Sequence, residues 1–100
     1  MYMLKLGKHK SFEWDKWNID KSYRKHGITP NEAEEAFLDE QAVIVQDIKH
    51  SQREERYILV GQTVGEKLLF IIFTMRDKKI RIISARKANQ KERRIYEQTV

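Results

Sequence analysis

Leu68-Leu69-Phe70-Ile71-Ile72-Phe73 is the longest apolar run in this 100-residue chain. It is far shorter than the ~18 residues needed to cross a bilayer. It carries no helical spacing of polar positions, and its length suits a strand that is apolar on both faces. Such a strand belongs in the middle of a sheet, buried on the helix side and at least partly covered on the other. On either side of it, Arg56–Thr63 and Lys79–Ala85 also read as strands. The links Val64-Gly65-Glu66 and Met75-Arg76-Asp77-Lys78 are short enough for hairpins, so the three strands form an antiparallel meander.

Upstream of the meander, Asp47 to Glu55 is polar and reads as a loop, and β-branched Ala42 to Gln46 reads as a strand. Thr29-Pro30-Asn31-Glu32 is a capping box with proline at the first helical position. Ala33, Ala36 and Phe37 follow at helical spacing, in a helix expected to end near Asp39. Before it, Phe12-Glu13-Trp14 alternates like a short strand, and Asp15 can cap a helix to about His26. In that helix Ile19 and Tyr23 lie four apart on one stripe. Gly27 then stops it, because glycine takes a positive φ cheaply. Residues 1–11 form a basic lead-in. Downstream, Asn89 with Glu92 opens a last helix to about Gln98. The order is β-α-α-β-β-β-β-α within a single domain over 12–98. It predicts an α+β fold: a small antiparallel sheet with two N-terminal helices and one C-terminal helix, the helices covering one face.

Charged residues make up 35% of the chain, against about 25% in an average domain. There is no cysteine, so disulfides and thiolate metal sites are excluded. No secretory leader pattern is visible, and a cytoplasmic location is expected. The net charge of +5 suggests a polyanionic partner: nucleic acid, an acidic protein or a membrane surface. Its distribution is uneven. Glu32, Glu34, Glu35, Asp39, Glu40 and Asp47 stand between Asn31 and Asp47 with no base among them. Arg76, Lys78, Lys79, Arg81, Arg86, Lys87, Lys91, Arg93 and Arg94 stand against only Asp77 and Glu92. These runs are either solvated helix faces or, for the basic one, a polyanion footprint.

Arg81 stands inside a strand between Ile80 and Ile82, and simple alternation puts it on the face of Ile83 and Ala85. An arginine there pairs with a buried carboxylate, for which Asp47, Glu54 and Glu55 are available, or it points at a ligand. Arg86 lies beside it at the strand end, and Arg56 opens an adjacent strand. Each is a ligand for phosphate or a salt-bridge partner. His26 and His50 are candidate proton carriers, although His26 can equally bond the last helix carbonyls and His9 sits in the lead-in. Glu55 can act as a base or pair with an arginine, and Tyr96 can donate a hydrogen bond, stack a base or simply pack. Trp14 reads as core, with Trp17 sharing it or partly exposed. Asp47, His50 and Glu54 make a poor metal set, and no metal or cofactor is expected.

Taken together, several segments resemble the BrnT toxin family, in order and at its spacing. They are Phe12-Glu13-Trp14-Asp15, Lys25-His26-Gly27-Ile28, His50-Ser51 with Glu54-Glu55-Arg56, Ile80-Arg81-Ile82-Ile83-Ser84-Ala85-Arg86, Glu92-Arg93 and Tyr96. The resemblance covers about Phe12 to Gln98. It departs at Ser22, where the family commonly has asparagine, and in a longer lead-in. It implies a RelE-like ribonuclease fold and metal-independent endoribonuclease activity. It also implies a cognate BrnA-type antitoxin that supplies the DNA-binding part of an operator-bound complex. Arg81, Arg86, Arg56, His26, His50, Glu55 and Tyr96 are then the expected catalytic set, with Arg76, Lys79, Lys87, Arg93 and Arg94 binding RNA. The competing functions are a non-catalytic nucleic-acid-binding module and a protein-interaction module using the same basic surface. Growth arrest on expression, relieved by a neighbouring gene, would separate the toxin from both.

Overall fold

The apolar run lies within β4 (Leu68–Arg76), the central strand of a five-stranded sheet in the computed structural model, which describes residues 11–14, 23–50 and 54–98. The other strands are β1 (Phe12–Glu13), β2 (Val43–Gln46), β3 (Arg56–Gln62) and β5 (Lys79–Lys87), in the spatial order β1-β5-β4-β3-β2. The helices are α1, whose described part is 23–26, α2 (Pro30–Phe37) and α3 (Gln90–Gln98). A 3-10 turn, Ile48–His50, follows β2. Residues 1–10 of the lead-in with His9, the body of the first helix with Trp17, Ile19 and Ser22, and residues 51–53 lie outside the described residues, as does the side chain of His50. No described helix is long and apolar enough to cross a membrane.

The α+β architecture and the element order are as the sequence predicts, with two corrections. The sheet is mixed, because β1 runs parallel to β5, pairing Phe12 with Ile80 and Glu13 with Arg81. Antiparallel neighbours can be joined by a tight turn, but strands this far apart in sequence are free to pair in parallel. The helices also do not share one face. One face of the sheet carries Leu59, Leu69, Ile71, Phe73, Ile80, Ile82 and Ala85, and α2 packs there through Ala33, Ala36 and Phe37. Tyr96 of α3 packs on the opposite face, against Val60 and Leu68. Both faces of the Leu68–Phe73 run are therefore covered, although Phe70 and Ile72 stay half-exposed.

Close approach of α2 depends on small residues. An added Cβ at Gly61 of β3 would come within 2.6 Å of the Ala36 carbonyl oxygen. The α2 cap forms as read: the Thr29 hydroxyl accepts from the Glu32 amide at 3.2 Å, and Glu32 Oε1 accepts from the Thr29 amide at 3.0 Å. Gly27 has φ of 69° and its amide closes the last turn of α1 on the Tyr23 carbonyl at 2.8 Å.

The acidic stretch is not a plain solvated face. Glu32 pairs with Lys67 at 2.6 Å, and Glu35 accepts from the Val64 amide at 3.1 Å. Asp39 accepts from the Gln62 amide at 2.8 Å. These three carboxylates clasp α2 and the turn after it to the β3–β4 hairpin. Glu34 meanwhile accepts from the Trp14 indole at 2.8 Å, which fixes Trp14 against the core it partly covers.

Candidate functional site

Arg81 sits on the α3 side of the sheet, and a β-bulge decides what accompanies it. Ile72 pairs with Ser84 and Phe73 with Ile82, so Ile83 is an extra residue in β5. The bulge resets the alternation. Ala85 therefore lies in the core with Ile80 and Ile82, not beside Arg81 as simple alternation would have it. Ser84 and Arg86 take the Arg81 face instead.

Register then places Glu13, Arg81, Thr74 and Arg56 in one row across β1, β5, β4 and β3. Directly opposed residues in a sheet point to the same face. Arg56 is thus not on a strand adjacent to Arg81; β4 intervenes, and Thr74 stands between them. Thr74 is 2% exposed, and its hydroxyl donates to the Glu55 carbonyl at 2.7 Å. With strands about 4.8 Å apart, the Arg56 and Arg81 backbones are separated by roughly 10 Å, a span that two arginine side chains can close on one phosphate. Both arginines are half-buried. Lys79 shares the face at the hairpin end of β5, and Arg76 joins it from β4, with Glu54 3.5 Å from the Arg76 guanidinium.

The other candidates are distributed elsewhere. Arg86 lies five residues along β5, about 15 Å from Arg81 at the usual rise per residue. Its guanidinium donates to both carboxylate oxygens of Glu92, at 2.9 and 2.8 Å, and to the Lys87 carbonyl at 3.1 Å. It also stacks on the Phe70 ring, 4.2 Å from the centroid. Glu92 in turn closes the Asn89 capping box that starts α3. Arg86 therefore anchors α3 to the sheet. Tyr96 is buried, and its hydroxyl donates to Asp39 Oδ2 at 2.7 Å. Burial, followed by the hydrogen bond to Asp39, pushes its pKa up to about 12.

Glu55 is exposed and accepts from the Tyr57 hydroxyl at 2.7 Å. That bond raises the Tyr57 pKa, with burial adding to it. Tyr57 stacks on Phe73, on the α2 side of the sheet, so Glu55 is turned away from the arginine row. His26 is half-buried in the last turn of α1, and His50 ends the 3-10 turn. Lys87, Arg93 and Arg94 are exposed at and beyond the far end of β5. Among the described residues no group of three His, Cys, Asp or Glu could hold a metal ion. Thr74 and Tyr57 escaped the sequence reading. Thr74 is the one polar residue in an otherwise apolar stretch from Leu68 to Met75, but only register ties it to the arginines.

The model of one protein family, described as the ribonuclease toxin BrnT of a type II toxin–antitoxin system, matches residues 14–92. The chain belongs to the BrnT family. The fold agrees: the crystal structure of the Brucella abortus ribonuclease toxin BrnT superposes with a TM-score of 0.63 at 24% identity. The superposition covers 82% of this chain and all of that one. No curated protein matches the chain. As a BrnT-family member the chain is a ribonuclease toxin of a type II toxin–antitoxin system.

Proposed function

We propose that this BrnT-family chain cuts RNA by attack of the substrate's own 2′-OH, without a metal ion. Arg81 and Arg56 hold the reacting phosphate between them. The observation that carries this reading is the row in which the two arginines flank buried Thr74 on a partly open sheet face. Cleavage of this kind builds negative charge on a pentavalent phosphorus, and fixed donors aimed at that charge are the strongest catalytic device available. The nucleophile is already adjacent to phosphorus, so the substrate supplies the proximity. Proton transfer falls to His26 and His50, because Glu55 is held by Tyr57 on the other side of the sheet. Imidazole can both take and give a proton near neutrality.

A cognate BrnA-type antitoxin would neutralise the toxin by covering the arginine row, and operator DNA would be met only through that complex. The cytoplasm, where RNA and antitoxin coexist, is the expected location.

The test is product chemistry. Cleavage should survive EDTA, leave a 2′,3′-cyclic phosphate and fail on DNA or on RNA with 2′-O-methyl at the cut site. Arg81→Ala and Arg56→Ala should each lower kcat by roughly 10²–10³ in a chain that still folds. His26→Gln and His50→Gln should each lower kcat by roughly 10²–10⁴. Cleavage that stops with EDTA and returns with Mg²⁺ would overturn the mechanism.

A further inference from the structure

α3 carries its charges in the order that its own dipole disfavours. Lys91 lies in the first turn, Arg93 and Arg94 follow at once, and Glu97 stands at the other end with no base in the last turn. The N-terminus of a helix is its positive end, where cations are destabilising. Lys91 and Arg94 are also three apart on one flank, a spacing at which like charges repel. Arg93 precedes Glu97 by four, the weaker orientation for an ion pair. The one acid in the first turn, Glu92, is consumed by Arg86 and the Asn89 amide. Lys91, Arg93 and Arg94 are all exposed, and among the described residues no carboxylate pairs with them. An arrangement that costs the helix stability twice, through its dipole and through like-charge repulsion, makes sense when an external anion completes it.

We propose that the N-terminal half of α3 is a second RNA-binding surface, which grips the substrate's backbone away from the scissile phosphate. Its position suits this. Arg86 ties the start of α3 to the Arg81 face of β5, about 15 Å from Arg81, so a single strand cut at the arginine row can run along β5 to reach the helix. Its composition favours nucleic acid over an acidic protein. None of the large exposed apolar side chains, Tyr23, Leu38, Ile48, Val64 and Met75, belongs to α3. The core of a protein interface is depleted of charge and enriched in aromatic side chains, whereas phosphate backbones are held largely by cations and other hydrogen-bond donors. This surface deepens the ribonuclease reading and rests on it for the substrate's identity.

Binding of uncleavable 2′-O-methyl RNA tests the proposal without depending on catalysis. The probes are oligonucleotides of about 4 and about 16 nucleotides, at either end of common single-strand site sizes. The wild-type chain should bind the longer RNA more tightly. The double variant Lys91→Gln/Arg94→Gln should lose most of that gain, and its logarithmic salt slope should fall by about 1.4, at roughly 0.7 per phosphate neutralised. Its Tm should be at least that of the wild type, because a repulsion has been removed. Arg24→Gln/Lys49→Gln removes the same charge from exposed positions elsewhere and should keep the wild-type slope. Equal losses in both variants, an unchanged α3 variant, or a lower Tm in it would each overturn the proposal. So would loss of an acidic peptide's binding in the α3 variant with RNA binding intact. A wild type that binds long RNA through α3 but cuts none would instead defeat the ribonuclease mechanism and leave this surface standing.

Discussion

Tyr96 shows how a side chain with the right chemistry for a site can be held in structural service. Its hydroxyl meets Asp39 57 residues away in sequence, its ring closes the smaller core, and Asp39 also takes the Gln62 amide. Tyr96→Phe should therefore leave cleavage near wild type while costing about 1 kcal/mol of stability. That loss is a drop of some 4–8 °C in Tm for a domain of this size. The alkaline limb supplies a second readout. Burial and Asp39 raise the folded pKa to about 12 from 10.0. The folded state thus favours the neutral phenol, and the benefit is complete below pH 10 and lost as pH rises from there toward 12. The phenylalanine variant lacks this part of the alkaline loss, so the two melting curves should converge above pH 10. A variant that melts normally but no longer cuts would return Tyr96 to the site. Arg86 follows the same pattern: the sequence makes it a phosphate ligand, but Glu92 and Phe70 occupy its fork and its face. Nothing in a single chain's sequence distinguishes an arginine aimed at a carboxylate from one aimed at a ligand. That difference is made by tertiary contacts, of Arg86 with Glu92 and Phe70 and of Tyr96 with Asp39, which periodicity leaves unconnected.

At the scale of elements the sequence was far more legible, because capping boxes, apolar runs and hairpin spacing are local. The Thr29 and Asn89 boxes, the Gly27 stop and the strands from Arg56 to Lys87 all stand where local chemistry puts them. The bulge at Ile83 was not legible. Its only trace is the adjacent pair Ile82-Ile83, which strict alternation cannot bury on one face. The bulge turns Ala85 into the core and brings Arg81 and Arg86, an odd number of positions apart, to one face. The turns hold a second surprise. Val64-Gly65-Glu66 contains a glycine, yet the positive φ, 66°, falls on Glu66. The β4–β5 turn places Asp77 at φ 52° and Lys78 at φ 64°. Two successive left-handed residues make the mirror-image turn that suits the twist of a hairpin, for which Asp-Gly is favoured. Aspartate tolerates that region and lysine is strained in it. Lys78→Gly should therefore stabilise the chain by about 0.5–1 kcal/mol after its greater unfolded entropy is counted. Urea melts would show this as a higher midpoint at an unchanged m-value. A lower midpoint would mean that the Lys78 side chain contributes more than its backbone costs.

For the molecule as a whole, the separation of charge along the sequence becomes a division of labour in space. Two groups of bases lie on the α3 side, Arg56, Arg76, Lys79 and Arg81 on the sheet and Lys91, Arg93 and Arg94 on α3, while acids of α2 turn inward to fasten the β3–β4 hairpin. That inward use makes stability depend on pH through particular carboxylates. Glu32 is the clearest case. The Lys67 ammonium that bonds it, the Thr29 amide and the nearby positive charge together outweigh its partial burial and hold its pKa below the ordinary 4.5. A carboxylate depressed in the folded state contributes fully above its unfolded value and loses that contribution as pH falls through the lower folded one. Glu32→Gln isolates this term, because glutamine still accepts the capping bond from the Thr29 amide while losing the charge that Lys67 meets. At neutral pH the variant should be less stable by about 0.5 kcal/mol, the scale of a partly exposed ion pair. The gap should hold down to about pH 5, narrow below 4.5 and vanish once both states are protonated. It should also shrink in high salt, which screens the exposed Lys67 side of the pair. Chemical denaturation at a series of pH values measures all three features. A gap that persists unchanged into acid would assign the Glu32 contribution to packing and capping geometry, and would leave the attraction between α2 and the hairpin without its electrostatic part.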